Sequence, residues 1–519
     1  MQPDSTDKTS SHTTNSLVTP TTSRLTPLHG AFLVGLCGFL FFYQSATRPL
    51  SSSHEARAAQ NAQSILDHND WLLPRLFDRR VELQKPPLYY WLVAICGRIN
   101  GNRVNAWCVR LPAGLAALIT VLFVYYLGLC QKRPLAGFLS AVVLATSLHF
   151  TWLARVGRID MPLSLTTTVA LVSFYLAHRR TAETSIRDDS GFLFLAYASI
   201  GFGVLLKGPI AVGLVGVVLC GCFIVSWWFG RGESGTGNRS LFAILHHNGV
   251  WWGIPLILTI ALPWFVIANT HTRGELFRVF FWYHNFARGF GGAEELPSYP
   301  WWFYLFRLLI DMFPWSLTLP FACWSFFRRP VRDPYAIFGC VWLAAMLLSL
   351  SCLRFKRADY LLPAYPGLAI VLGCHGERLW QQTTYPRTLL RWSFFGVSMC
   401  IVMGWLVYIL AGTPTGESIR PTKAFAKQIR EHTTGSVIFF QVEAHDLAFE
   451  LRTPLYTVMT WGNLERLSQK SETVYVVMTP KNVAKLNNGP LKQRLKELAR
   501  TEELTDEEHD RPLVLLRSR

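Results

Sequence analysis

The sequence predicts a polytopic α-helical membrane protein of about eleven spans followed by a small soluble α/β domain, and three observations carry that reading. Half of the 519 residues are hydrophobic and only 16% are charged, whereas ordinary soluble proteins carry roughly 25% charged residues. The apolar residues come in long blocks, among them His29–Ala46, Leu111–Cys130, Leu135–Ala154 and Pro209–Phe229, each close to the ~20 residues that cross a hydrocarbon core. After residue 411 the character reverses, and short β-branched runs alternate with polar, helix-like stretches.

Residues 1–28 are rich in Ser, Thr and Pro without apolar periodicity, which predicts a disordered cytoplasmic tail. The apolar block that follows is one of many and reads as a retained first span, not a cleaved signal. Spans are expected near 30–46, 109–130, 135–153, 162–177, 191–206, 209–229, 250–269, 302–323, 335–353, 361–375 and 393–411. Several tryptophans stand where blocks end (Trp227, Trp228, Trp251, Trp252, Trp301, Trp302), as an interfacial belt requires.

The connections at 131–134, 178–189, 230–248, 328–334 and 377–391 are polar, with basic pairs at 132–133, 179–180 and 328–329. They are placed in the cytoplasm by the excess of Lys and Arg. Three segments then face outward: the long loop 47–109, with interfacial helices expected at Glu55–Leu66 and Lys85–Ile99, the link Arg155–Asp160, and the loop Asn269–Pro300. An odd number of spans puts residues 412–519 on the same side. Strands are expected at Ser436–Phe440, Pro454–Met459, Thr473–Thr479 and Leu513–Leu516, with helices at Thr422–His432 and Leu491–Ala499, hence an α/β domain.

The formal net charge of +17 is mostly topology-setting and lipid-facing, with a handful of residues left for an anionic substrate. Basic residues dispersed among spans argue against nucleic acid. The eleven cysteines all precede residue 401 and include no Cys-x-x-Cys pair, so they read as buried small hydrophobes rather than metal ligands or disulfides.

Polar residues of catalytic type concentrate on the outer side. Glu55, in Ser51-Ser-Ser-His-Glu-Ala-Arg57, also has the Ser-x-x-Glu spacing of a capping box with Ser52. Asp160, in Ala154-Arg-Val-Gly-Arg-Ile-Asp-Met-Pro162, suits a helix N-cap. Arg155 and Arg158 flank it, though, and charges held at a membrane edge are costly unless used or paired. Lys85, in Gln84-Lys-Pro-Pro-Leu-Tyr-Tyr-Trp91, serves either as a snorkelling anchor or as a phosphate ligand beside a helix N-terminus. His284 lies in Tyr283-His-Asn-Phe-Ala-Arg288, where a lone His is more often a surface residue than a ligand.

Together these motifs resemble the aminoarabinose transferase and protein mannosyltransferase group, polyprenyl-phosphate-sugar-dependent membrane enzymes with the C-type glycosyltransferase fold. The order is one span, then His-Glu-Ala-Arg, Lys-Pro-Pro-Leu-Tyr-Tyr-Trp-Leu, Arg110-Leu-Pro, Arg158-Ile-Asp-Met-Pro and Leu205-Leu-Lys-Gly-Pro209. Leu262-Pro-Trp264, the His/Arg loop, Phe313-Pro-Trp-Ser-Leu317 and Lys356-Arg-Ala-Asp-Tyr-Leu-Leu-Pro-Ala-Tyr-Pro366 follow. The resemblance covers roughly residues 30–411.

It implies transfer of a sugar, with inversion, from a polyprenyl-phosphate donor to a lipid A-like lipid, a glycan or a protein at the outer face of a bacterial inner membrane. A transporter or flippase of lipid-linked sugar is the alternative, but transporters place ionisable residues near the bilayer midplane. The resemblance implies Glu55 and Asp160 as catalytic carboxylates. It also implies Lys85, Arg158, Arg288, Lys356 and Arg357 around the donor phosphate, with His54, Arg57, Tyr89 and Tyr360 in support. Two departures stand out: His54 replaces the Asp of the usual Asp-Glu pair, and Gln84 replaces a Glu associated with a metal ion in aminoarabinose-type members. Gln is a poor zinc ligand, so a divalent metal, with His284 as its candidate ligand, is doubtful.

Overall fold

The structure, a computed structural model, describes residues 22–50, 52–183, 190–230, 248–287, 298–328, 333–382, most of 396–408, 422–435, 437–469, 473–487, 494–501 and 512–518. The expected tail before residue 22 and parts of the expected cytoplasmic connections lie outside the described residues.

Among the described residues six helices are long and apolar enough to cross a membrane, and two bent pairs raise that number to eight. The single helices are Ala106–Cys130 (α4), Asp160–Glu183 (α7), Ser190–Lys207 (α8), Ile210–Gly230 (α9), Val250–His271 (α10) and Pro334–Ser351 (α13). Of the other expected spans, 30–46 corresponds to Thr22–Cys37 (α1) with its short π-helical extension Gly38–Phe42, and 361–375 to a 3₁₀ turn Ala358–Ala364 running into Tyr365–Gln382 (α14). Within its apolar window α7 is 72% buried whereas α9 and α10 are 22% buried, so α7 is the axis of the bundle and the other two line its periphery.

The bent pairs are Pro134–Thr146 (α5) with Leu148–Ala154 (α6), turning by 68°, and Phe303–Asp311 (α11) with the segment from Trp315 to Ser325, turning by 111°. The second break falls at Pro314, which cannot donate to a helical ladder. The two breaks meet. Leu148 N donates to Phe313 O at 3.0 Å, and the Trp315 indole N–H donates to Thr146 Oγ1 at 2.8 Å. Groups freed by each break are thus satisfied by the other, as an apolar environment demands.

At one end of the bundle Arg133 pairs with both Asp333 and Glu377, which brings three of the expected cytoplasmic connections to one face. The opposite end carries the loop between α1 and α4. Ser53–His68 (α2) starts where the Ser52 hydroxyl accepts from Glu55 N at 3.2 Å and stops at Asn69, which adopts left-handed φ of 53°, a conformation Asn tolerates better than most residues. Its alanines 56, 58, 59 and 62 are buried against Leu88–Ile99 (α3). Residues 269–300, expected as a loop, are instead helical at Phe277–Ala287, in π-helical form.

The C-terminal part is a five-stranded sheet of order β2-β1-β3-β5-β4, where β1 is Val437–Phe440, β2 Tyr456–Val458, β3 Tyr475–Met478, β4 Leu495–Arg500 and β5 Val514–Ser518. The first three strands are parallel, and β5 pairs antiparallel with β3 and β4. The stretch Leu491–Ala499, expected as a helix on its Leu/Lys/Arg content, is largely strand: pairing with the buried β5 overrides a helical propensity worth only tenths of a kcal/mol per residue. This part rests on α2, since Gln60 Nε2 donates to His445 O at 2.8 Å and Phe77 stacks on Phe449.

Candidate active site

Four charged segments far apart in sequence converge on a cavity of about 300 Å³ at the α2 end of the bundle. Lys85 comes from the Pro-Pro turn before α3, Arg158 and Asp160 from the link before α7, Lys207 from the end of α8, and Arg357, Asp359 and Tyr360 from the turn before α14. Four cations face two carboxylates here, a surplus of positive charge suited to a phosphate. Ile210, Leu214, Leu350, Leu353 and Phe280, contributed by the spans, form the apolar part of the wall.

The charges order one another. Asp160 accepts from Lys207 Nζ at 2.7 Å and lies 3.3 Å from Arg158 Nε. Arg158 Nη2 reaches Asp359 Oδ2 at 2.6 Å, and Arg357 lies 3.4 Å from the same oxygen. Lys207 also lies over the Tyr360 ring, 4.5 Å from its centroid. Among the described residues no carboxylate lies within ion-pair distance of Lys85. Burial brings its ammonium down to about 8, with Asp160 and Glu82 opposing the shift and Arg158 and Arg57 reinforcing it.

His54 lines both the cavity and a water-sized recess of about 10 Å³ shared with Lys85, Arg158, Arg57, Glu82 and Tyr89. Burial, together with Lys85, Arg158 and Arg357, holds its imidazole well below the ordinary histidine range, so it is neutral across physiological pH.

Glu55 sits behind this wall, fully buried, and is not among the cavity-lining residues. Arg110 Nε and Nη2 donate to its two oxygens at 2.8 and 3.0 Å, and Gly157 N donates at 2.8 Å. The remaining Arg110 donors go to the carbonyls of Ser45, Arg48 and Pro49. Arg155, flanking Asp160 in sequence, likewise donates to the carbonyls of Leu40 and Tyr43. These two arginines fix the cavity-side ends of the first spans.

The other expected site residues divide. Lys356 points away from the cavity, with Nζ on the carbonyls of Tyr299 and Leu353. Tyr89 donates to Val109 O at 2.7 Å and closes the recess. Arg57 pairs with Glu82 at 2.8 Å. Arg288 and the His284 side chain lie outside the described residues.

The acceptor groups described beside Lys85 are already engaged. Glu82 is committed to Arg57 and to Gln84 N, and Gln84 offers only an amide. Among the described residues no group of three His, Cys, Asp or Glu side chains has metal-binding geometry.

Lys207 and Asp359 are cavity residues that were not among the expected ones. Behind Asp359 lies a further polar cluster of His149, Asp311 and Tyr365. Its signal in the sequence is a His and an Asp inside otherwise apolar spans.

In sequence and in fold the chain is similar to membrane glycosyltransferases. Residues 32–279 match the family model described as dolichyl-phosphate-mannose-protein mannosyltransferase. The chain is 28% identical over 336 residues to an undecaprenyl phosphate-α-4-amino-4-deoxy-L-arabinose arabinosyl transferase of Erwinia tasmaniensis, a match covering 64% of this chain and 56% of that protein. The same-named protein of Pseudomonas savastanoi pv. phaseolicola is 27% identical, covering 61% and 55%. The matched region thus spans little more than half the length of these relatives. The crystal structure of ArnT from Cupriavidus metallidurans bound to undecaprenyl phosphate superposes with a TM-score of 0.76 at 18% identity, covering 94% of this chain and 97% of that one. The archaeal oligosaccharyltransferase AglB of Archaeoglobus fulgidus gives 0.54 at 14% identity, covering 88% and 70%. The chain shares the fold of these solved structures.

Proposed function

We propose that this protein transfers a glycosyl residue from a polyprenyl-phosphate sugar to a lipid, glycan or protein acceptor, in the cavity at the extracytoplasmic face of a bacterial inner membrane. The observation that carries the reading is one cavity joining a surplus of fixed cations to an apolar wall. A phosphate headgroup on an isoprenoid chain has the matching division of charge and apolar surface. None of the relatives reported above is a transporter, and the charges gather at one end of the bundle rather than at its midplane.

In this mechanism the acceptor oxygen bonds to the anomeric carbon from the side opposite the phosphate. The carbon–phosphate-oxygen bond breaks, and polyprenyl phosphate leaves carrying the electron pair. The acceptor proton goes to His54, which faces the cavity as a neutral imidazole. Glu55, with both oxygens held, orders the loop rather than taking the proton. Asp160 is engaged by Lys207 and Arg158 and serves to hold both in place. Lys85, Arg158 and Arg357 stabilise the charge growing on the departing phosphate, and preorganised groups of this kind are worth about 100- to 1000-fold in rate each.

The test is transfer by purified protein in detergent, using labelled undecaprenyl-phosphate sugars and candidate acceptors. A new glycosidic bond, reduced at least about 100-fold by Lys85→Ala, is the expected result. Movement of intact lipid-linked sugar across proteoliposomes without a new bond overturns it.

The pH profile gives a second check. The ammonium of Lys85 must be protonated to bind the anionic donor, and its folded-state value is about 8. Donor kcat/KM, which reports the free enzyme, should therefore be level below that point and fall as pH rises through it. In Lys85→Arg the fall should vanish, because a guanidinium stays charged throughout.

A further inference from the structure

Asp359 divides its carboxylate between two duties. Its Oδ2 holds Arg158 and Arg357 at the cavity, and its Oδ1 faces His149 Nε2 at 3.5 Å on the side away from the cavity. His149 lies in α6, is 5% exposed, and stacks on Trp152 at 5.7 Å between centroids. Its Nδ1 is 2.8 Å from the Tyr365 hydroxyl and 3.4 Å from Asp311 Oδ2. Tyr365 donates its one proton to Asp311 at 2.6 Å, so toward His149 the hydroxyl oxygen is an acceptor and Nδ1 carries a hydrogen. With a carboxylate also facing Nε2, the partners on both sides of the ring select an imidazolium. Arg307 closes the far end, 2.9 Å from Asp311 Oδ1.

We infer that His149 is a positioning residue for the donor phosphate, acting through Asp359 on Arg158. The groups alternate in sign from Arg307 through Asp311, His149 and Asp359 to the cavity cations, and they come from elements distant in sequence. Burying them is costly unless each is held. Neither His149 nor Asp311 lines the cavity, so their effect reaches the substrate only through Asp359. Without His149, Asp359 loses the partner that fixes its orientation, and Arg158 with it.

This inference rests on the proposed use of a polyprenyl-phosphate donor, and its test reads binding directly. Undecaprenyl phosphate is titrated against the full-length protein in detergent, followed by intrinsic tryptophan fluorescence, beside donor KM and kcat. His149→Gln is expected to raise Kd and donor KM about tenfold, which is about 1.4 kcal/mol, while kcat at saturating donor stays within about threefold. Because the effect passes through Arg158, adding His149→Gln to Arg158→Lys should cost little beyond Arg158→Lys alone.

Tyr365→Phe removes a single hydroxyl at constant shape. It should move Kd about two- to threefold in the same direction, and it decides the matter if His149→Gln does not fold. Unchanged Kd in a folded His149→Gln or Tyr365→Phe variant, additive losses with Arg158→Lys, or a fall in kcat at constant Kd each overturn the inference. Failure of the unmodified protein to bind undecaprenyl phosphate would instead remove the functional reading beneath it.

Discussion

Glu55→Gln is expected to lower the yield of folded protein sharply rather than give a folded, inactive enzyme. The carboxylate is fully buried and accepts hydrogen bonds from Arg110 Nε and Nη2 and from Gly157 N. Gln keeps one acceptor oxygen, replaces the other with an N–H₂ donor aimed at a guanidinium, and leaves Arg110, 2% exposed, without a counter-charge. Breaking a buried ion pair on one side costs about 3–5 kcal/mol. The loss also spreads, because Arg110 gathers the carbonyls of Ser45, Arg48 and Pro49 and thereby sets the path from the first span into α2. The measurement is monodisperse protein recovered by size exclusion in detergent, with the thermal midpoint of what is recovered. A Glu55→Gln protein of ordinary yield and midpoint that transfers no sugar would return the role of base to Glu55.

That contrast also marks what the sequence could reveal. The Ser-x-x-Glu spacing gives the start of α2, and the structure places Ser52 on Glu55 N as a cap. The Glu55 side chain turns to an arginine 55 residues away, and no local spacing encodes that. In the motif at residues 356–360 the neighbours part: Arg357, extended at the N-cap of the 3₁₀ turn, and Asp359, inside that turn, line the cavity, while Lys356 turns onto the carbonyls of Tyr299 and Leu353. The change of backbone from extended to 3₁₀ within four residues leaves no single period from which to read that division. Lys207 enters the sequence reading only within the Leu205-Leu-Lys-Gly-Pro209 motif, because nothing near it in sequence announces Asp160, 2.7 Å away. The apolar blocks themselves were legible throughout. Their breaks at Ser147 and Pro314 were not, since each depends on hydrogen bonds supplied by the other.

His54→Ala is expected to lose about 10²–10⁴-fold in kcat, the range of a general base, with yield and thermal stability close to those of the unmodified protein. The difference from Glu55 follows from where the two neighbours point. His54 is half-buried at the first turn of α2 and faces the cavity, and among the described residues it has no hydrogen-bonded partner that its removal would strand. Three cations, Lys85, Arg158 and Arg357, keep its ring neutral and, until the donor phosphate counters them, make it a poor base. As the acceptor proton arrives, the phosphate leaving group gains negative charge beside the same cations, which offsets their repulsion of the new imidazolium. His54→Asp supplies a different base at the same point and should recover most of the lost rate, whereas His54→Asn, similar in size but without basicity, should not. Donor Kd for undecaprenyl phosphate should change little in His54→Asn, because Lys85, Arg158 and Arg357 remain. Activity retained in His54→Asn would show that the acceptor proton leaves by another route, and a parallel loss of activity and donor binding would make His54 a ligand of the phosphate instead.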